Sequence, residues 1–90
     1  MNKTELIDTT ADNAGMTKSD VQKTLEAMLD TITRAVRSGE RVALTGFGTF
    51  ELRERAARTG RNPQTGEQMR VPASKAPAFK PGKAFKDAVN

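Results

Sequence analysis

Thr49-Phe50-Glu51-Leu52-Arg53 alternates apolar and polar side chains, and the alternation runs on through Glu54-Arg55-Ala56-Ala57-Arg58-Thr59-Gly60-Arg61 with nothing large and apolar to bury. Asn62-Pro63-Gln64-Thr65-Gly66 comes next, a turn sequence in which Pro suits the first central position and Gly relieves the backbone after it. Glu67 to Val71 then returns as a strand, with Met69 and Val71 on one face. Residues 53 to about 75 therefore read as a polar hairpin. The stretch from Arg55 to Pro63 alone reaches about 26 Å at about 3.3 Å per residue. A ribbon of this kind is marginal in water without a partner. Pro72, Pro77 and Pro81 each lack a ladder donor, so the return path is expected at an edge, broken or bulged.

Outward from the ribbon, Arg41-Val42-Ala43-Leu44-Thr45 reads as a strand and Gly46-Phe47-Gly48 as a tight turn. Gly82-Lys83-Ala84-Phe85-Lys86-Asp87-Ala88-Val89 reads as a short closing helix, with Phe85 and Val89 at i, i+4. The first half is helical. Asn2 with Glu5 three residues later is a capping-box start, Leu6, Ile7 and Ala11 form a narrow stripe, and Gly15 ends the segment. Thr17 with Asp20 repeats the signature. Val21, Leu25, Met28, Leu29, Ile32 and Val36 then fall at offsets 0, 4, 7, 8, 11 and 15, a 3.6-residue period closed by Gly39. The sum is an α+β chain: a helical hairpin, a three-stranded antiparallel sheet with a long ribbon arm, and a C-terminal helix. A helix-turn-helix reading is disfavoured, because the second helix exposes Asp20, Lys23, Glu26 and Asp30 instead of base-reading side chains.

The chain has 90 residues, is 36% apolar, and holds no Cys, His, Trp or Tyr. That removes disulfides, thiol nucleophiles, imidazole bases and the usual zinc sets, so no cofactor or metal is expected and an enzyme is disfavoured. Glu5, Asp8 and Asp12 sit at helical spacing, which a solvated helix face explains better than paired acid–base groups. Residues 60–66 lack the Gly-Lys-Ser/Thr end of a phosphate-binding loop, and Gly46-Phe47-Gly48 lacks the third glycine of a dinucleotide turn. No apolar run approaches a membrane span, and residues 1–5 lack a signal-peptide core, so the expected setting is soluble, intracellular and cytoplasmic, with no membrane partner. Asn2-Lys3-Thr4 matches a glycosylation acceptor by chance.

Charge is unevenly placed. Residues 1–40 hold five basic and seven acidic side chains, a balance of −2, while residues 41–90 hold ten and four, a balance of +6. Six cations, Arg53, Arg55, Arg58, Arg61, Arg70 and Lys75, lie on the ribbon against Glu54 and Glu67. Arginine suits phosphate forks and narrow minor grooves. With Phe needed for the core, no aromatic platform is left for single strands, so the expected partner is double-stranded DNA. A ribbon can enter a groove, and an apolar residue at its tip can wedge between base pairs; Pro63 is the candidate, against the plainer reading that it only shapes the turn. Without the ribbon fewer than seventy residues remain to build a core. The helix stripes and the Phe47, Phe50 and Phe79 cluster exceed what so small a monomer can cover, which points to a dimer. Leu25, Leu29, Ile32, Val36, Leu44, Phe47, Phe50 and Phe79 are the candidate dimer core.

Residues 46–50 (Gly-Phe-Gly-Thr-Phe), Arg55, Arg58 and residues 60–66 (Gly-Arg-Asn-Pro-Gln-Thr-Gly) resemble the signature of the bacterial histone-like HU/IHF family. The resemblance spans the chain, and in length and ending it is closer to HU than to integration host factor. HU and integration host factor are themselves type examples of minor-groove bending, so the wedge is partly what the resemblance implies. It implies a single domain over 1–90: a helical dimerisation base (1–39), a sheet (40–54 and 74–81), a DNA-binding β-arm (55–73) and a C-terminal helix (82–90), paired into an intertwined dimer. By the same resemblance Pro63 intercalates and kinks the duplex, Arg55, Arg58 and Arg61 line the groove, and Asn62 sits beside the wedge. Lys3, Lys80, Lys83 and Lys86 match flanking phosphate contacts, and Lys3 lies close to Glu26. Pro72, Pro81 and the Thr9-Thr10 pair depart from the family pattern.

The implied function is that of a nucleoid-associated, histone-like protein, with little sequence specificity and a preference for bent, nicked or gapped DNA. It would bend and condense DNA as a homodimer or with a paralogous subunit. The alternatives are a sequence-specific bending factor of the integration-host-factor type, or a scaffold whose basic arm grips acidic protein partners.

Overall fold

The computed structural model describes residues 1–90. The chain divides into two compact units, Met1–Arg34 and Ala35–Asn90. The first holds α1 (Lys3–Ala14) and most of α2 (Lys18–Arg37). The Asn2 side chain accepts from the Glu5 N–H at 2.8 Å, and the Asp20 N–H donates to Thr17 Oγ1 at 3.1 Å, so both capping signatures form as read. Gly15 takes the left-handed conformation after α1 and donates to the Ala11 carbonyl. Ile7, Ala11 and Val21 are buried together, with Leu25 packed against them. That is a thin core for two helices. Leu6, Met16, Met28 and Leu29 remain between 45% and 49% exposed.

The second unit contains β1 (Val42–Leu44), β2 (Gly48–Arg55), β3 (Arg58–Arg61), β4 (Gln68–Val71), β5 (Ser74–Pro81) and α3 (Lys83–Val89). β1, β2 and β5 form an antiparallel sheet in the order β1-β2-β5, and β3 pairs antiparallel with β4. β5 is therefore an edge strand, where Pro77 and Pro81 lose no ladder bond that the sheet requires. Val36, at the end of α2, is buried, whereas the sheet's own apolar residues are held mainly by aromatic contacts. Phe79 meets Phe50 at 4.9 Å and Phe47 at 5.5 Å between ring centroids, and Phe85 of α3 stacks on Phe47 at 4.6 Å. The closing helix thus completes the aromatic cluster, a role that its i, i+4 stripe alone did not reveal.

The break that Pro72 predicts on the return strand is present, whereas the tip differs from the sequence reading. The ribbon is not continuous: strand pairing lapses at Ala56-Ala57 and, opposite them, at Pro72-Ala73. Pro72 has no N–H to give, and small Ala side chains add little cross-strand packing. The register nevertheless carries across unchanged, since Arg55 faces Ser74 and Arg58 faces Val71, three residues further along each strand. The tip is also wider than a β-turn. Gly66 donates to the Asn62 carbonyl at 2.7 Å, four residues back, and Gly66 adopts φ 72°, which suits a residue without Cβ.

Gly48 lets the aromatic cluster seat on the sheet. A Cβ there would run into the Phe79 ring and stand 2.7 Å from the Lys80 carbonyl oxygen. Gly48→Ala should therefore destabilise the protein by about 1–3 kcal/mol, the usual cost of forcing an atom into a packed site. The expected result is a lower denaturant midpoint at matched protein concentration and unchanged m-value; an unchanged midpoint would show that the ring can move aside.

Candidate nucleic-acid interface

Strand alternation and register sort the candidate cations onto two faces. On β2, Thr49, Glu51, Arg53 and Arg55 share one face with Lys80, Ala78, Ala76 and Ser74 of β5. The opposite face carries Phe50 with Phe79, Leu52 with Pro77, and Glu54 with Lys75. Further out, Thr59 pairs with Arg70 and Arg61 with Gln68, while Arg58 pairs with Val71 and Gly60 with Met69. A Cβ at Gly60 would lie 3.5 Å from Val71, so this second face of the outer ribbon is apolar apart from Arg58. The six ribbon cations are therefore not one continuous row. Arg53 and Arg55 share a face at the root, Arg61 and Arg70 share one further out, and Arg58 and Lys75 lie on the opposite faces of their own segments.

Ion pairing separates the same residues in another way. Arg53, Arg55, Arg58, Arg61 and Arg70 have no carboxylate within ion-pair distance, and neither have Lys83 and Lys86 on α3. Lys75 is 3.8 Å from Glu54, its cross-strand neighbour. Lys80 is 2.9 Å from Glu51 Oε1, and Arg41 Nε is 3.4 Å from the other oxygen of the same carboxylate. In the helical unit, Lys3 is 3.3 Å from Glu26, as the resemblance implied. Arg41 and Glu51 were absent from the sequence-based set of site residues. Their only signal was an acid standing at the centre of an otherwise cationic alternation.

At the tip, Asn62 Oδ1 accepts from the Gln64 N–H at 2.9 Å, and the Asn62 N–H donates to the Glu67 carbonyl at 2.7 Å. Thr65 Oγ1 adds a bond from the Glu67 N–H at 3.3 Å. These bonds fix the loop that holds Pro63 exposed at the end of the ribbon. Asn62 Oδ1 thus accepts within the turn, while its NH₂ makes no hydrogen bond in the chain.

Two of the paired carboxylates, Glu26 and Glu51, are easier to ionise than an ordinary glutamate. Hydrogen bonds from Gln22 and then Lys3, with the Lys3 charge, lower the pKa of Glu26. For Glu51 the main cause is the Lys80 hydrogen bond, opposed in part by burial and assisted by the charges of Lys80, Arg41 and Arg53. No group of three or more His, Cys, Asp or Glu is placed to hold a metal ion, and no helix is long and apolar enough to cross a membrane.

A helical hairpin and a sheet that extends a cationic, proline-tipped ribbon define a class, and comparison with known proteins identifies it. The profile of the family described as bacterial DNA-binding protein matches residues 1–90, and the chain belongs to that family. Within it the chain is of the histone-like HU type. It is 64% identical to DNA-binding protein HU of Geobacillus stearothermophilus over 99% of each chain. Among solved structures it is similar to HU of Anabaena in a cocrystal with DNA, with TM-score 0.88, 53% identity, and coverage of 99% of this chain and 97% of that one. It is also similar to HU of Thermotoga maritima, with TM-score 0.71, 40% identity and 100% of both chains covered.

The lowered pKa values fix a sign for acid stability. A carboxylate whose folded pKa lies below its unfolded value stabilises the fold above the unfolded pKa and loses that contribution as pH falls through the folded one. The contributions of Glu26 and Glu51 should therefore be complete above the usual glutamate value of 4.5 and be lost progressively as pH falls from there through their lower folded values. Thermal midpoints of the Glu26→Gln/Glu51→Gln protein should fall less between about pH 5 and pH 3 than those of the wild type. An equally steep acid limb in both proteins would show that neither pair matters to stability.

Proposed function

We propose that the chain binds double-stranded DNA through the minor groove with little sequence specificity. In this reading it kinks the duplex by inserting Pro63, and so bends, compacts and stabilises the nucleoid. The observation that carries this reading is the set of five ribbon arginines without carboxylate partners, on a ribbon whose tip is an exposed proline held by its own turn. Unpaired guanidinium groups meet phosphate without first giving up a partner, and each phosphate neutralised lowers log K by roughly 0.9 per decade of salt. Inserting an apolar wedge costs a few kcal/mol of unstacking, offset by backbone contacts on the bent flanks. Lys83 and Lys86 on α3, with Lys80 and Lys3, are the proposed flanking phosphate contacts.

The same reading has two copies of the chain acting together, as a homodimer or with a paralogous subunit. Leu29, Leu44, Phe47 and Phe79 from the proposed dimer core remain 37–47% exposed in one chain, and Leu25, Ile32 and Phe50 are only partly buried. A second copy covering them would supply the core that four buried apolar residues cannot.

Pro63→Ala tests the wedge. Affinity for intact duplex at matched salt should persist while the bend angle in a fluorescence-transfer assay falls, and the preference for nicked or gapped DNA should shrink with it. Unchanged bending would leave only a charged clamp. Glu26→Ala tests the flank: freeing Lys3 for phosphate should enlarge the binding-site size and steepen the salt dependence, and unchanged values for both would remove Lys3 from the interface.

A further inference from the structure

Glu51 lies at the centre of the sheet face that the aromatic cluster leaves open. Its side chain is 13% exposed, yet its two oxygens are engaged from opposite sides. Arg41 reaches it from the residue before β1, next to the Val42–Phe50 pair, and Lys80 reaches it from the edge strand β5, where it opposes Thr49. Arg53 is the next residue on the same face and adds to the field on the carboxylate. One anion on the central strand therefore links all three strands and partly cancels a patch of three cations. Arg55 continues that patch toward the arm.

We propose that Glu51 is a resident counter-anion of the DNA-binding face, which holds Arg41 and Lys80 in the free protein and competes with DNA phosphate for them. This rests on the reading that the open sheet face meets the DNA backbone. Arg41 and Lys80 keep 75% and 63% of their side-chain surface in water, so a phosphate can approach both without disturbing the strands. Glu51 cannot retreat in the same way, because its backbone lies in the central strand and only 13% of its side chain reaches water. When the two cations turn to phosphate, a poorly solvated carboxylate is left beside the DNA, and that penalty opposes binding. The ion pairs are exposed at their cationic ends and so are weak enough to exchange. Glu51 thereby caps both the affinity and the number of counterions released, a tuning role different from that of the unpaired ribbon arginines. It also explains why an acid is tolerated in the middle of a cationic face.

The test is the salt dependence of duplex binding by Glu51→Gln, with thermal unfolding to confirm that the variant is folded. The slope of log K against log salt should steepen by about 0.9 for each copy of the chain bound, and affinity at 0.1 M salt should rise by roughly eightfold per copy, the effect of one more released counterion. A purely structural Glu51 would give an unchanged or shallower slope and weaker binding, and either result overturns the proposal. Glu51→Asp, which keeps the charge, should retain the wild-type slope; a steeper slope there would also overturn it. Because removal of Glu51 carries a folding risk, a second measurement uses the wild type alone. The Glu51 carboxylate carbon resonance should move on addition of a short duplex as Lys80 leaves it, and a bound complex with an unmoved resonance overturns the proposal. Arg53→Gln separates the inference from the reading beneath it. Weaker, less salt-dependent binding by Arg53→Gln with an unchanged Glu51→Gln slope rejects the counter-anion alone. No effect of Arg53→Gln rejects the DNA-facing sheet and the counter-anion with it.

Discussion

Phe79 seats its ring where Gly48 has no side chain, and that contact sets the register of β2 against β5. A strand has a side-chain period of two, so a slip of one residue would turn every side chain on the moving strand to the other face. Here the register persists from Gly48 opposite Pro81, past the lapse at Ala56-Ala57, to Arg61 opposite Gln68. The choice of which arginines share a face at the root, and of which residue stands across from each of them further out, is thus made at the base of the ribbon, more than ten residues from the tip. The aromatic cluster is what makes that choice stick. Phe47, Phe50 and Phe85 surround Phe79, and an offset strand would pull its ring out of all three contacts.

How legible each element was follows from how local its causes are. The caps at Asn2 and Thr17 need only residues three apart in sequence, and both formed as expected. The shared face of Met69 and Val71, and the edge position required by Pro77 and Pro81, follow from strand period and proline chemistry alone. Pro72 marks a break on the return strand by its own chemistry, but the placement of that break opposite Ala56-Ala57 depends on register and is not visible along one strand. The wide tip turn likewise depends on Asn62 spending its side chain on Gln64 while its backbone reaches Glu67. Counting charges along the chain found six ribbon cations, but their division between faces and the capture of Lys80 by Glu51 emerge only from cross-strand register.

Helices and sheet show the same imbalance between apolar supply and burial. α2 carries its stripe over five turns, yet within the helical unit only Val21 is fully buried from that helix, with Leu25 partly so. In the second unit the four phenylalanines contact one another while Phe47 and Phe79 stay accessible. A chain that spends about a quarter of its length on a polar arm has too few residues left to enclose both stripes, and small domains in that position use association to complete a core. The exposed apolar surface and the exposed arm are therefore two consequences of one allocation.

That allocation also governs where acids can stand. Beyond Arg55 the ribbon carries a single carboxylate, Glu67, whose backbone N–H and carbonyl both serve the turn; the other acids of the arm side, Glu51 and Glu54, stand at its root and are paired with Lys80 and Lys75. Pairing at the root suits a region that must keep its strands aligned, because opposite charges across strands add modestly to sheet stability. Pairing further out would gain little, since an exposed ion pair contributes at most about 1 kcal/mol. The balance therefore shifts along the ribbon from self-neutralised to open. The outer segment lacks both a hydrophobic core and ion pairs, so its order rests on the β3–β4 ladder and the hydrogen bonds of the tip turn.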